Sequence, residues 1–163
     1  MSIVTKTGDF GKTTLYNDEI ISKAHLRIET CGSLDEMNSF LGLVKSSTDD
    51  IKLKNRISKI QQDFVSFGEI ISNPSSEKEV EDNKINSVEE QINDIEKNIR
   101  IGNWKLPGEN LTSVSLDLAR TSCRKFERNI VKMHEEGFID NPNLMKYVNR
   151  MSDFLWLLAR QQE

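Results

Sequence analysis

Apolar residues that return every three or four positions, in five separate stretches, constrain the fold of this chain more than any other feature. Ile57, Ile60, Phe64, Phe67 and Ile71 form one such stripe between about Ile51 and Ile71. Leu26, Leu34, Met37, Leu41 and Val44 form another between about Ser22 and Val44. A third runs from Ser87 to about Ile101 through Val88, Ile92, Ile95 and Ile99, with Ser87 and Glu90 in capping-box positions and Gly102 as its stop. Ala119, Cys123, Phe126, Ile130 and Met133 mark the fourth, about Leu111 to Glu136, closed by Gly137. The fifth follows Asn141-Pro142 and carries Leu144, Val148, Met151, Leu155 and Leu158. Strand side chains alternate between faces, so this spacing suits helices that each bury one face. The expected architecture is therefore all-α, a five-helix bundle with short connections. Asn73-Pro74-Ser75-Ser76 breaks the pattern, and the acidic stretch to about Asn83 reads as an exposed loop. Trp104-Lys105-Leu106-Pro107-Gly108 reads as a connector.

Length and composition agree with this reading and narrow the function. The 163 residues fit a single domain, with 1–20 as an N-terminal loop and 21–163 as the bundle. The net charge of −4 gives no general reason to expect nucleic acid, so anion binding must come from a local cluster. Cys31 and Cys123 lie far apart at no metal-ligand spacing, within helical patterns, and are expected to be reduced and buried. His25 and His134 are isolated, so no protein-built metal site and no Ser-His-Asp hydrolase is expected. The sequence carries no membrane-spanning run and no signal peptide, and a cytoplasmic location is the expectation.

Three groups of polar residues stand apart from the apolar stripes. The first is Thr5 to Thr14, with two glycines, two lysines and four threonines in ten residues. Glycines let backbone N–H groups approach a phosphate chain, lysines supply charge, and hydroxyls reach phosphate or magnesium. It ends in Gly-Lys-Thr, but only Asp9 and Phe10 separate its glycines, where a P-loop needs four residues. The second group is Arg120, Arg124, Lys125, Glu127 and Arg128 on the fourth helix. Guanidiniums stacked this way suit a polyphosphate; alternatively they form a solvated face or pair with acids of neighbouring helices. The third is Asp35 with Asn38 on the first helix, and Asn149, Asp153 and Arg160 on the fifth. Asp35 is expected to pair with an arginine, and Glu89-Glu90 to be solvated. Trp104 is either a core anchor or an aromatic lid over a flat ligand.

Taken in order, these segments resemble the propanediol-utilisation type of ATP:cob(I)alamin adenosyltransferases. The resemblance runs over nearly the whole chain: Thr5-Lys6-Thr7-Gly8-Asp9 to Gly11, Gly32 with Asp35-Glu36 and Asn38-Ser39, Leu106-Pro107-Gly108, Ala119-Arg120-Thr121 with Cys123-Arg124-Lys125 and Glu127-Arg128, and Asn149 to Asp153. It implies a homotrimer with active sites between subunits. It also implies transfer of the 5′-deoxyadenosyl group of ATP to the cobalt of cob(I)alamin, with triphosphate released and magnesium held by phosphates and water. By the same resemblance Thr5, Lys6, Thr7, Gly8, Thr13 and Thr14 line the triphosphate, and Lys23 contacts ATP. Arg124, Lys125, Glu127 and Arg128 bind ATP from the neighbouring subunit, and Asn149 contacts the nucleotide. Arg120 pairs with Asp35 on the corrinoid side, and Trp104 stands where the family often has a phenylalanine that displaces the lower axial ligand of cobalamin. A cob(II)alamin reductase and an adenosylcobalamin-dependent enzyme are the implied partners. The chain departs from the family pattern at three places: Asp117-Leu118 where the family often has Leu-His before the Ala-Arg, Glu109 in place of a glycine, and Lys125 in place of an arginine.

Overall fold

The computed structural model describes residues 3–15, 17–99, 102 and 105–163. A short antiparallel hairpin opens the chain, β1 (Lys12–Thr14) pairing with β2 (Ile20–Ser22) so that Thr13 faces Ile21. Five helices follow: α1 (Leu26–Ser46), α2 (Ile51–Ser72), α3 (Asp82–Glu96), α4 (Leu111–Glu135) and α5 (Pro142–Gln161). Helix α1 packs on α2 and α4, and α5 packs on α3 and α4. No helix among the described residues is long and apolar enough to cross a membrane.

Each stripe named above becomes core. Met37, Leu41, Ile57, Phe64, Phe126, Met133, Val148 and Leu155 are completely buried. At the centre Phe64 meets Phe67, Phe126 and Tyr147 at ring-centroid distances of 5.5, 5.7 and 6.0 Å, all near edge-on. The buried Tyr147 hydroxyl donates to Asp63 at 2.8 Å, and burial together with that carboxylate pushes its pKa up.

Side chains fix where the helices begin and end. Asp50 caps α2 and Asn141 caps α5, while Asn110 and Ser113 form a reciprocal capping box on α4. Gly137, at φ +74°, closes α4 in the left-handed conformation; its N–H donates to His134 and that of Phe138 to Met133. Arg27, 3% exposed, donates to the carbonyls of Ile71 and Phe138, tying α1 to the end of α2 and to the α4–α5 turn. Burial lowers the pKa of its guanidinium.

Two expectations about the third helix are corrected. It starts at Asp82 rather than Ser87, and it ends at Glu96 rather than near Ile101. Ile85 lies three residues before Val88 on the same buried face, so the stripe continues one turn further back and leaves Ser87 mid-helix. The stretch before it is not simply an exposed loop. Val80 is buried, the Asn141 side chain donates to the Lys78 carbonyl, and that of Asn143 donates to the Val80 carbonyl.

Both cysteines are free; Cys123 is buried and Cys31 half-buried. Burial pushes the pKa of each thiol up.

Candidate functional site

The face of α4 that points away from the core is built by its sequence period. Ala119, Cys123, Phe126, Ile130 and Met133 turn inward, which leaves Arg124, Glu127 and Arg128 on the outer side, one turn apart. A cleft of about 350 Å³ is lined by Arg124, Glu127, Arg128, Val131 and Lys132. Helix α5 closes one side of this face: the Asn149 side chain donates to Glu127 Oε1 at 2.8 Å. Arg150 in turn donates to Asn149 Oδ1 at 2.9 Å and to Glu89 of α3 at 2.9 Å. Glu89 is therefore not merely solvated but holds this group from the third helix. Asp153 completes it. Burial raises its pKa, Arg150 and Arg124 oppose that shift, and Glu127 adds to it.

The N-terminal segment forms consecutive turns, with the Asp9 N–H donating to the Lys6 carbonyl and that of Gly11 to the Gly8 carbonyl. Lys6 and Gly11 both have positive φ, at 61° and 74°. Thr5 and Thr7 share a hydroxyl–hydroxyl bond at 2.9 Å, while Thr13 and Thr14 lie in β1. Lys23 follows β2 and its N–H donates to the Gly11 carbonyl at 2.9 Å. Its ammonium lies over Gly8, where an added Cβ would fall 2.6 Å from Lys23 Nζ. The geometry thus brings Lys23 to the glycine loop, a proximity that their separation in sequence does not reveal. Among the described residues, none of Thr5 to Thr14 hydrogen-bonds or ion-pairs with α4.

Within one chain, three of the charged side chains find partners other than those expected from sequence. Asp35 does not pair with Arg120: Asp35 is exposed on α1, whereas Arg120 Nε donates to Asp117 Oδ1 at 3.0 Å. Asp117 is only three residues before Arg120 on the same helix, so the local acid takes the arginine. Lys125 points to α1 and forms an ion pair with Glu36 at 2.7 Å, apart from the side chains lining the cleft. Arg160 does not join Asn149 on an open face but turns inward onto Asp117 at 2.5 Å. Trp104 lies outside the described residues.

A larger cavity, about 630 Å³, lies elsewhere, between the end of α2, the loop after it and the α4–α5 turn. Its lining mixes Glu77, Glu79 and Asp140 with Lys78 and His134, and it includes none of the polar groups of Thr5–Thr14, Arg120–Arg128 or Asn149. A polyphosphate is better matched by the smaller α4 cleft, where Arg124, Arg128 and Lys132 give a net positive lining against Glu127.

Comparison with known proteins agrees over the full length. The family model described as cobalamin adenosyltransferase matches residues 3–162. The chain is 33% identical over its whole length to the corrinoid adenosyltransferase PduO of Salmonella typhimurium, and it spans 50% of that protein. It is 30% identical to a corrinoid adenosyltransferase of Citrobacter freundii, covering 99% of this chain and 94% of that protein. The chain therefore spans about half the length of some curated relatives and nearly all of others. Among solved structures it resembles a variant PduO-type ATP:corrinoid adenosyltransferase of Lactobacillus reuteri complexed with cobalamin and ATP. The TM-score is 0.91 at 30% identity, over 99% of this chain and 93% of that one. The chain belongs to the cobalamin adenosyltransferase family.

Proposed function

We propose that the chain transfers the 5′-deoxyadenosyl group of ATP to cob(I)alamin, at a site shared between two subunits of a homotrimer in the cytoplasm. The observation that carries this reading is the α4 cleft, in which Arg124 and Arg128 flank a Glu127 held by Asn149. The likeness to a protein bound to cobalamin and ATP supports it. The cobalt(I) lone pair attacks C5′, the C5′–O5′ bond breaks, and its electron pair leaves on triphosphate. The substrate metal is itself the nucleophile, so the protein needs neither a nucleophilic side chain nor a base. Its work is to hold ATP in line and to offset the charge of the leaving group.

In this reading Arg124 and Arg128 grip the triphosphate, while Glu127 and Asn149 fix the nucleoside side. Thr5, Lys6, Thr7, Gly8, Thr13, Thr14 and Lys23 of the neighbouring chain supply the opposite wall. Magnesium is held by phosphate oxygens and water. The Nη edge of Arg120 meets the partner subunit's Asp35 on the corrinoid side, with Trp104 nearby. Lys125 holds α1 to α4 through Glu36 and acts on ATP only at a distance.

A Gly8→Ala chain tests the loop wall, because the new methyl must push the Lys23 ammonium aside. The KM for ATP is expected to rise on the order of tenfold, with the melting temperature shifted by no more than roughly 2 °C. An unchanged KM would remove Lys23 and the loop from the site.

The division of the site between chains is tested by mixing two crippled variants. Lys23→Ala damages the loop wall and Arg124→Ala the helix wall, so each alone is expected to be nearly inactive. In trimers reassembled from equal amounts of both, roughly a quarter of the sites combine an intact loop with an intact helix, and activity should return to that extent. No recovery in trimers shown to be mixed would contradict a shared site.

A further inference from the structure

Asp117 is a buried acid to which the proposed reaction gives no part. Its side chain is 5% exposed, one turn before Arg120 on α4. Asp117 Oδ1 accepts from Arg120 Nε at 3.0 Å, and Oδ2 accepts from Arg160 Nη2 at 2.5 Å. Arg160 is itself enclosed: its side chain is 4% exposed, it reaches Glu163 at 3.0 Å, and it lies 5.6 Å from the centre of the Trp156 ring. Glu163 in turn holds Lys105, in the connector before α4, at 2.8 Å. Removing the Asp117 carboxylate would leave the buried Arg160 guanidinium with Glu163 as its one remaining acid among the described residues, so Arg160 fixes Asp117, and Asp117 fixes Arg120.

The way Arg120 is gripped is informative. Only its Nε is engaged, and among the described residues its two Nη groups have no protein partner. Those two groups form the end-on fork that pairs with a carboxylate or a phosphate. An arginine held at Nε has its fork aimed before any partner arrives, and this side chain is only 20% exposed.

We propose that Asp117, backed by Arg160, is a positioning residue that aims the Nη fork of Arg120 into the intersubunit site. The inference rests on the reading of Arg120 given above. Asp117 touches neither substrate; it acts through Arg120, and Arg160 acts through Asp117.

The test is a double-mutant cycle on the intact trimer, with steady-state turnover of cob(I)alamin and direct ATP binding as separate readouts. Asp117→Asn keeps the side-chain shape but leaves one acceptor oxygen for two arginines. It is expected to lower kcat/KM for cobalamin about tenfold while leaving the Kd for ATP within roughly twofold. Combined with Arg120→Ala, it should cost nothing further. Combined with Arg124→Ala, its effect should multiply with that of the second change. A second variant, Asp117→Asn with Arg160→Met, removes both members of the buried pair and leaves Glu163 with Lys105, so folding is preserved while Arg120 is still released; the same loss is expected. A purely structural Asp117 would lower the melting temperature, leave kcat/KM per folded site unchanged, and multiply with Arg120→Ala as it does with Arg124→Ala. That result overturns the proposal. Absence of turnover in the unmodified protein would instead overturn the reaction itself, and this inference with it.

Discussion

Replacing Arg124 with alanine lowers ATP affinity and turnover together, by about 10²-fold in kcat/KM for ATP. Arg124 lines the α4 cleft with its side chain exposed, so its loss removes a ligand contact and leaves the core intact. A charge-assisted hydrogen bond contributes about 1.5–3 kcal/mol, and a donor aimed at charge that develops during reaction contributes more. At about 1.4 kcal/mol per tenfold, one phosphate-gripping arginine accounts for two decades. Glu127 and Asn149 remain bonded to each other without Arg124, so circular dichroism and the melting temperature should not change. Titration calorimetry with ATP and magnesium, alongside steady-state rates, checks this. Loss of turnover with ATP binding intact would place Arg124 elsewhere in the reaction.

The largest effect on stability is expected at Phe64. Its ring is fully buried on α2 and meets aromatic partners from α2, α4 and α5, namely Phe67, Phe126 and Tyr147. Alanine there removes the transfer energy of a ring and leaves a cavity between three helices, at a cost of roughly 3–5 kcal/mol. A domain of this size is stable by only about 5–15 kcal/mol, so the loss should be plain in a urea transition. The midpoint is expected to fall with the slope nearly unchanged. A midpoint that barely moves would mean that the neighbouring rings collapse into the space.

The bundle was legible because its signals are local. Stripes at threes and fours announced all five helices, and Gly137 and Asn141-Pro142 marked two boundaries that the structure keeps. The start of α3 was misplaced because Ser87 and Glu90 mimic a capping box within a stripe that already begins at Ile85. The hairpin β1–β2 escaped notice because strands of three residues are too short to show alternation. The α4 face could be read from spacing alone, since residues four and seven apart share a helix surface. What could not be read is the pairing of charges across elements. Nothing local says that Arg160 turns inward to Asp117, that Lys125 is taken by Glu36, or that Lys23 lies over Gly8. Those outcomes follow from how α1, α4 and α5 pack, which a one-dimensional pattern does not contain.

The central claim concerns bond formation between the carbon of ATP and the cobalt of a corrinoid. It is tested most directly by anaerobic incubation of the protein with ATP, magnesium and chemically reduced cobalamin, followed through the visible spectrum while triphosphate is assayed. The account predicts the spectrum of adenosylcobalamin, light-sensitive and formed in equal amount to triphosphate. ATP bound with no adenosylcobalamin formed would contradict it, and would leave the chain a nucleotide-binding member of its family without the transfer reaction.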